Sequence, residues 1–501
     1  MQKTTGFIWK PKHTILGFSL IEDHPRLIPA QPARAAGLDA LRGIAILAML
    51  LSGQLPFGEN SLPAWMYHAQ VPPPDHIFNG NLPGITWVDL VFPFFLFALG
   101  AAIPLALTRR IEHGEPRWKI AGFILGRGVL LAFFALYVQA IRPGTISTHP
   151  TTATQFVALL AFALLFPVFT RLPEAWPRYV RWGIRIAGWA GAITLLALLR
   201  YPGDKGFSLT RSDIIIVVLA NMAVFGSLCW WATRNNYLLR LGILGVLLAI
   251  RLSNMPTATP SWVHDLWTWS PAPWIYQLYY CQYLFIVIPG TIVGDMLLDW
   301  MKRNPATEKS NWSHSRFVVI AGLMLLVILV PLVGLYARWL WPTTLVTFVL
   351  CGFGAWLMRN PGDDTENLLR NLFRWAIYWL VLGMFFEPYE GGIRKDRATM
   401  SYYFVTSGMA ICALIAFTIV LDVLQRRRWA ALLIDNGQNP MIAYAGINNL
   451  ILPLLALTSL ESLLSSMASS PWMGFVKGLI ITLLVGIAVS FCTRRKIYWR
   501  S

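Results

Sequence analysis

Long apolar segments recur along the whole sequence, and they restrict the fold more than any other feature. Hydrophobic residues make up 56% of the 501 residues and charged residues 13%, whereas an ordinary soluble domain contains about 25% charged residues. An α-helix of about 20 mostly apolar residues can cross the hydrocarbon core of a bilayer. We therefore predict an all-α fold, a polytopic bundle of about 11–14 transmembrane helices with no sizeable soluble domain. The apolar runs lie at residues 37–54, 87–108, 119–141, 151–170, 178–199, 212–233, 236–253, 273–298, 315–337, 341–358, 368–386, 400–424, 438–458 and 472–493.

The connectors between these runs alternate in charge. Lys and Arg cluster in the connectors 109–119, 171–181, 302–309 and 426–428. Neither residue occurs in the intervening connectors 55–86, 143–150, 254–272 and 459–471. Basic connectors are typical of the cytoplasmic side, so we predict a cytoplasmic N-terminal segment (1–36), a membrane domain (37–493) with an outer loop at 55–86, and a cytoplasmic tail (494–501). Two outer loops, 200–211 and 387–399, break the alternation, and their basic residues favour contact with an anionic group.

Charge and cysteine content exclude several function classes. A formal net charge of +17 would favour a nucleic-acid partner in a soluble protein, but here the basic residues lie in short connectors, and we predict no nucleic-acid partner. The five cysteines are widely spaced in or beside apolar runs and form no metal-binding pattern, so we predict no metal. The N-terminal segment has no apolar region followed by a cleavage site, and this favours the bacterial inner membrane as the location.

The first apolar run opens with GLDALRGIAILAML, in which two ionisable residues lie close together. Asp39 and Arg42 are three residues apart, so they share one helix face and can pair. One interpretation is a salt bridge where the helix enters the membrane. The other is that Arg42 faces an anionic ligand, such as a phosphate group that arrives from the cytoplasm.

The outer loop 55–86 is long, rich in aromatic residues and proline, and contains two histidines. His76 follows three prolines in PPPDHIFNG, which stiffen the chain before it. His68 lies earlier in the loop, and Asp89 opens the second apolar run, where a carboxylate also suits the N-terminus of a helix. A long ordered loop in a compact membrane protein is often functional, so these three residues are candidates for catalysis.

Three further clusters are candidates for ligand contacts. His264, Asp265 and Trp269 lie in SWVHDLWTWSPAPW, whose tryptophans predict either an interfacial belt or stacking platforms for sugar rings. Glu387 and Glu390 lie in the outer segment FFEPYEGGIRKDRATMSYYF. Asn439 and Tyr444 lie in DNGQNPMIAYAGINNL, where a carboxamide near the membrane needs a partner from a neighbouring helix or from a ligand.

The motifs LDALRG, HIFNG and GITWVDLVFPFFLFALG together resemble the membrane acetyltransferases of the heparan-α-glucosaminide N-acetyltransferase type, in the transmembrane acyltransferase superfamily. The most specific match is the segment 86–100, with Thr86, Asp89 and Pro93 in the family positions. The family's His-Ala-x-Trp-x-Gly segment is matched by His76 with a short insertion, while His68 and Ala69 match its His-Ala pair at a greater distance. The family's asparagine late in the first helix is replaced here by Ser52.

This resemblance implies an acetyltransferase that moves an acetyl group from cytoplasmic acetyl-CoA to a sugar amine or hydroxyl on the periplasmic side. His76, with His68 as the alternative, would act as the base or carry the acetyl group, and Asp89 or Asp75 would orient it. The resemblance further implies two sets of binding residues. Acetyl-CoA, the donor substrate, would contact Asp39, Arg42, Ser52, Asn439 and Tyr444, and the acceptor would contact His264, Asp265, Trp269, Glu387 and Glu390.

Two other functions compete with this one. A glycan or glycolipid transporter would share the many spans and the aromatic outer loops, but it would be expected to carry ion-coupling carboxylates near mid-membrane, and the apolar runs contain few acids. A membrane scaffold without catalytic activity would make the loop histidines incidental. The lipid bilayer and a sugar acceptor are the expected partners, and the oligomeric state, a homodimer included, stays open.

Overall fold

The computed structural model describes residues 35–58, 61–254, 261–303 and 310–500, and these form a bundle of helices. Within this part of the chain, β-structure is limited to two isolated bridges, Thr170–Trp499 and Tyr201–Lys205. The predicted N-terminal segment, apart from its last two residues, lies outside the described residues. In chain order the helices are α1 (Ala36–Ser52), α2 (Trp87–Glu112), α3 (Arg117–Ala140), α4 (Pro143–Ile146), α5 (Thr152–Phe169), α6 (Arg178–Leu198), α7 (Ile214–Ala232), α8 (Tyr237–Ser253), α9 (Trp262–Thr268), α10 (Leu284–Arg303), α11 (His314–Tyr336), α12 (Leu340–Leu357), α13 (Asp364–Tyr389), α14 (Met400–Thr418), α15 (Ala431–Gln438), α16 (Pro440–Gly446), α17 (Leu452–Ala456), α18 (Leu460–Met467) and α19 (Pro471–Arg494).

The helices confirm the predicted all-α polytopic class. Within the described ranges, nine helices are long and apolar enough to cross a membrane, and a tenth span is added if the pair Pro440–Ala456 and Leu460–Met467, bent by 99°, counts as one. The other predicted runs coincide with α1, α6, α8 and α13, which are shorter or carry more charge. Each apolar run of the sequence therefore falls on a helix.

Helix α14 occupies the centre of the bundle. Of the residues in the most apolar stretch of Met400–Val423, 89% are buried. Helix α14 packs against α1, α2, α10, α11 and α13. Helices α11, α12 and α19 instead expose apolar side chains such as Leu329, Leu345 and Ile487, each more than half exposed. An exposed apolar surface of this extent is what a helix presents to lipid, so the periphery of the bundle is suited to a bilayer.

Two close helix contacts explain glycines in the sequence motifs. A side chain added at Gly43 in α1 would overlap the backbone of Leu433 in α15, and one added at Gly437 would overlap the backbone of Asp39. Small residues allow helix backbones to approach closely in membrane proteins. The LDALRG and NGQN motifs therefore lie against each other, which places Arg42 at the contact between α1 and α15.

Two loops cover the N-terminal end of α2. We name residues 55–86 the outer loop, of which 59 and 60 lie outside the described residues, and residues 387–399 the second outer loop. The buried Gln70 donates hydrogen bonds from its amide to the carbonyls of Leu82 (2.9 Å) and Gly84 (3.2 Å). The Gly84 amide in turn donates to the carbonyl of Ile393 at 2.7 Å. These bonds fold the outer loop onto itself and join it to the second outer loop.

Candidate functional site

The N-terminus of α2 is built around a buried aspartate. Thr86 is the N-cap of the helix and Asp89 its third residue, and the two form a reciprocal capping box. Asp89 Oδ2 accepts hydrogen bonds from the Thr86 amide (2.9 Å) and the Ala69 amide (3.2 Å). The Thr86 hydroxyl lies 3.2 Å from the same oxygen and donates its single hydrogen to the Tyr67 carbonyl at 2.6 Å. Asp89 has no exposed surface, so this carboxylate is held rigidly at the outer end of the helix.

The second oxygen of Asp89 contacts His68. The distance from His68 Nδ1 to Asp89 Oδ1 is 2.6 Å, and the imidazole is about one-third exposed while the carboxylate is buried. A carboxylate that only accepts hydrogen bonds requires the hydrogen of the imidazole to be on Nδ1. Nε2 is then left with a lone pair, so it can accept a proton from a bound molecule.

Lys395, in the second outer loop, lies against the same imidazole. Its Nζ atom is 3.1 Å from His68 Nδ1 and 3.3 Å from His68 Nε2. Because these distances are nearly equal, the ammonium group lies beside the ring and out of line with the lone pair of Nε2. Among the described residues no carboxylate lies within ion-pair distance of Lys395. The cationic group therefore adds positive charge to the space around Nε2 without blocking it.

His76, the other candidate histidine, lies in a different environment. Its Nε2 atom is 2.8 Å from the hydroxyl of Ser61, and its ring packs between Phe57 and Tyr67 with ring centroids 4.7 Å from each. Its backbone has φ = 51°, which non-glycine residues rarely adopt. The structure thus brings His68, and not His76, to Asp89.

A cluster of basic side chains lies deeper in the bundle. Arg42 is 3.8 Å from Asp39 and donates hydrogen bonds to the carbonyls of Gly437 (3.1 Å) and Ala98 (3.4 Å). Arg127 lies within electrostatic reach of both Arg42 and Arg500. Ala98 is nine residues beyond Asp89 in α2, which corresponds to about 14 Å along a helix axis. Arg42 therefore lies about 14 Å inward from the aspartate, measured along the helix, with Arg127 in its vicinity.

The other residues predicted to contact acetyl-CoA bind partners other than Arg42. The Ser52 hydroxyl donates to a carbonyl of its own helix, ten residues beyond Arg42. Asn439 holds the C-terminal segment, since its amide oxygen accepts from the Trp499 backbone at 3.0 Å. The Tyr444 hydroxyl donates to Asp213 at 2.8 Å. The structure thus pairs Asp39 with Arg42. Asn439 lies near this pair, two residues beyond Gly437, whose carbonyl accepts from Arg42.

The predicted acceptor residues near α9 lie on the surface. His264 and Asp265 are exposed, and His264 Nδ1 is 2.8 Å from the side-chain oxygen of Asn254. Trp269 is 55% exposed and its ring lies edge-on to Tyr276. An exposed indole face is available for lipid or for a sugar ring, so both interpretations of this cluster stay predictions.

The two predicted glutamates have partners within the chain. Glu387 is buried and forms an ion pair with Arg338. Glu390 accepts hydrogen bonds from the amides of Met400 (2.7 Å) and Ser401 (2.9 Å) at the start of α14. Both contacts fix the ends of the second outer loop, which carries Lys395. Their contact with an acceptor stays a prediction.

Sequence reasoning missed two members of the site. Lys395 lies in one of the two outer loops that break the charge alternation, so a signal for it was present. Tyr402 donates a hydrogen bond from its buried hydroxyl to the Asp89 carbonyl at 2.8 Å, and nothing in the local sequence marks it. Among the described residues no group of three or more His, Cys, Asp or Glu side chains could hold a metal ion.

The His68–Asp89 pair lies within the part of the chain, residues 34–297, that matches a family model. The chain is similar to human heparan-alpha-glucosaminide N-acetyltransferase, with 27% identity over 111 residues, which are 22% of this chain. The aligned stretch covers 14% of the human enzyme, so the relationship is distant and partial. The model of a family described as a domain of unknown function, DUF5009, matches residues 34–297. Because this match covers more than half of the sequence, the chain belongs to the DUF5009 family.

Proposed function

We propose that this protein is a transmembrane acetyltransferase, which moves an acetyl group from acetyl-CoA on the basic face of the bundle to a sugar amine or hydroxyl on the opposite face. One observation carries the proposal: at the outer end of α2, a buried aspartate holds Nδ1 of a histidine that is about one-third exposed. The distant similarity to a membrane N-acetyltransferase supports the same reaction class. We further propose that the basic face is cytoplasmic and that the membrane is the bacterial inner membrane.

His68 would act as the general base of the transfer. Asp89 accepts the Nδ1 hydrogen and keeps Nε2 free, and it stabilises the imidazolium that forms when Nε2 takes a proton. As that proton leaves the acceptor, its nitrogen or oxygen forms a bond to the acetyl carbon, and the carbon–sulfur bond to CoA then breaks. In the alternative route, His68 Nε2 itself forms the bond to the acetyl carbon and the carbon–sulfur bond breaks, which releases CoA as the thiolate. The acceptor then forms its bond to the acetyl carbon as the carbon–Nε2 bond breaks. Both routes require His68 in the tautomer that Asp89 selects.

Lys395 would stabilise the charge that develops during the transfer. When the acceptor attacks, the acetyl carbonyl oxygen becomes negatively charged beside His68. An ammonium group 3.3 Å from Nε2 lies near that oxygen and is already in place before the reaction. Preorganised donors of this kind contribute a factor of about 10²–10³ each in acyl-transfer enzymes.

Arg42, Arg127 and Arg500 would hold the phosphate groups of the donor. Guanidinium groups pair well with phosphates because they offer several donors in a planar arrangement. Arg42 lies about 14 Å inward from Asp89 along α2, an interval that the extended pantetheine arm of the donor can span. The basic residues and the His68–Asp89 pair therefore suit the two ends of a single CoA thioester.

A donor-binding and product assay tests this function. Purified protein is heated with acetyl-CoA, with CoA or with ATP, and a ligand that binds the folded state raises the apparent melting temperature. We expect a saturable rise with acetyl-CoA, reduced in Arg42→Gln and unchanged in Arg117→Gln, whose exposed side chain lies on the same face. Incubation with labelled acetyl-CoA and a panel of amino sugars and neutral sugars should then yield a labelled sugar. No shift at millimolar acetyl-CoA and no labelled product would refute the proposal.

One observation favours the alternative, a glycan or glycolipid transporter. A polar cavity of about 400 Å³ lies at the outer ends of α1, α3 and α5 and is lined by Gln54, Gln139, Arg142, Gln155 and Asn448. It adjoins the irregular turn at Ile447–Ile451, and interrupted helices of this kind form substrate sites in transporters. In sealed vesicles, a transporter would move a labelled glycan across the membrane unchanged, whereas an acetyltransferase would release it in acetylated form.

A further inference from the structure

A groove away from the His68–Asp89 pair combines arginines with exposed aromatic side chains. It has a volume of about 740 Å³ and lies between the segment 171–174 and the first half of α6. We name it the arginine groove. Its charged and aromatic lining residues are Arg171, Arg178, Arg181, Arg185, Trp182 and Trp189.

The charge of the arginine groove is mostly uncompensated. Four arginines line it together with a single carboxylate, Glu174. Glu174 pairs with Arg171 at 2.6 Å, but both side chains are more than two-thirds exposed, so this pair contributes little. Neither Arg178 nor Arg181 has a carboxylate within ion-pair distance in the part of the chain that the structure describes. The Nε atom of Arg181 is buried without a hydrogen-bond partner there. A buried donor of this kind is costly unless an acceptor is supplied.

The arginines are arranged along one side of a helix. Arg178, Arg181 and Arg185 are spaced at i, i+3 and i+7 in α6, so they share one face. Seven residues correspond to about 10 Å along the axis. In the predicted membrane orientation, Arg178 lies at the basic end of α6, so the three arginines would follow the depth at which lipid headgroups and their phosphates lie.

The rear wall of the groove is already fixed. Arg185 donates hydrogen bonds to the carbonyls of Val168 and Thr170 at the end of α5. The Arg171 amide donates to the carbonyl of Tyr498 at 3.1 Å, and Thr170 forms an isolated bridge with Trp499. The C-terminal segment therefore braces this wall, and a ligand that enters the groove would meet a preformed surface.

Apolar side chains continue the groove toward the hydrocarbon region. Trp182 is 65% and Ile186 is 62% exposed, one turn apart on α6. Tryptophan is enriched at the level of the headgroups, and an exposed isoleucine suits an acyl chain. A small soluble anion would use the arginines but would leave these apolar groups in water. The groove thus has a cationic part and an apolar part in the order that an amphiphile requires.

We propose that the arginine groove binds the phosphate headgroup of an anionic phospholipid, with its acyl chains along Trp182 and Ile186. Basic pockets beside membrane helices on the positively charged side recognise such headgroups. The proposal is independent of the acetyltransferase reaction, since no residue of the groove belongs to the His68 site or to the Arg42 cluster.

The test compares lipids and variants by native mass spectrometry and thermal shift of the detergent-purified protein. The probes are phosphatidylglycerol, phosphatidylcholine and inorganic phosphate. We expect phosphatidylglycerol to remain bound and to raise the melting temperature, and phosphatidylcholine and phosphate to have little effect. Each arginine near a lipid surface contributes about a factor of five, so the double variant Arg178→Gln/Arg181→Gln should bind phosphatidylglycerol about 30-fold more weakly.

Arg117→Gln/Arg428→Gln is the matched control, because it removes two exposed arginines from the same basic face but outside the groove. It should bind the lipid within about threefold of wild type, since charges beyond about 8–10 Å are screened. Three results would overturn the proposal: equal effects of the two lipids, equal losses in the two double variants, or reproduction of the stabilisation by inorganic phosphate alone. The last result would identify a soluble-anion site.

Discussion

Replacement of Asp89 by asparagine separates the two tasks of this buried side chain. In the wild type, Oδ2 accepts hydrogen bonds from the Thr86 and Ala69 amides, and Oδ1 accepts one from His68. An asparagine side chain has one acceptor oxygen and one NH₂ donor. Two backbone N–H donors face the Oδ2 position, so the amide oxygen must take it. The NH₂ group then faces His68 Nδ1, which becomes an acceptor.

The magnitude of the effect follows from the change of tautomer. With Nδ1 as an acceptor, His68 carries its hydrogen on Nε2 and cannot take a proton from the acceptor sugar. In serine proteases the equivalent substitution leaves the geometry intact and lowers kcat by about 10⁴. The loss of one charge-assisted hydrogen bond, about 1.5–3 kcal/mol, sets a lower limit of about tenfold. We expect acetyl transfer by Asp89→Asn to fall by about 10²–10⁴. We expect the free energy of unfolding to fall by only about 1–2 kcal/mol, because both backbone hydrogen bonds to the side chain persist.

The assay measures initial rates of acetyl transfer at saturating acetyl-CoA together with the melting temperature of each variant. Asp363→Asn is the control, because Asp363 is also a buried aspartate at a helix N-terminus and accepts from the Glu366 amide at 2.7 Å. It lies at the other end of the bundle and should transfer acetyl groups at the wild-type rate. The reasoning is refuted if Asp89→Asn retains the wild-type rate. It is also refuted if Asp363→Asn, at an equal loss of melting temperature, loses as much of the acetyl-transfer rate as Asp89→Asn does.

Substitutions at three further residues test other parts of the account. Lys395→Met should lower the acetyl-transfer rate by about 10²-fold with acetyl-CoA binding unchanged, and Lys395→Arg should restore part of the rate; equal rates in all three proteins would remove Lys395 from the site. Tyr402→Phe leaves the Asp89 carbonyl without its donor and should lower the free energy of unfolding by about 1–2 kcal/mol, measured as a lower melting temperature; an unchanged value would contradict the assigned hydrogen bond. Arg240 is fully buried and lies 2.7 Å from Asp295, so Arg240→Met should lower the free energy of unfolding by about 3–5 kcal/mol. An unchanged melting temperature in Arg240→Met would show that the ion pair is dispensable.

The helical bundle could be predicted from the sequence because its signal is local. A run of about 20 apolar residues predicts a membrane helix wherever it lies, and each of the runs coincides with a helix. The contact of α1 with α15, which Gly43 and Gly437 permit, was not predicted. The number of spans could not be predicted in the same way. Helices α6 and α13 coincide with apolar runs, but they carry charged residues and are not among the nine helices in the described ranges that are suited to cross a membrane.

The partner of Asp89 could not be predicted in this way. The prolines before His76 made it the preferred histidine, but the fold of the outer loop decides which ring reaches α2. Buried Gln70 and the aromatic packing around Tyr67 turn His68 toward Asp89 and hold His76 against Ser61. These contacts depend on tertiary packing, which no spacing in the sequence encodes.

Lys395 illustrates the same limit over a longer range. It is 327 residues from His68 in the sequence, and it reaches the imidazole because Ile393 bonds to Gly84 and Glu390 caps α14. The sequence indicated only that an outer loop carried unexpected basic residues. Their proximity to the His68–Asp89 pair required the structure.

The measurement that tests the central claim most directly compares His68→Ala with His76→Ala in single-turnover acetyl transfer from labelled acetyl-CoA. Both variants remove an outer-loop imidazole, so each controls for the other. The account predicts that His68→Ala lowers the rate by about 10²–10⁴, the contribution of a general base, and that His76→Ala stays within about tenfold of wild type after correction for folded protein. A His68→Ala protein that transfers acetyl groups at the wild-type rate, or a large loss confined to His76→Ala, would contradict the account.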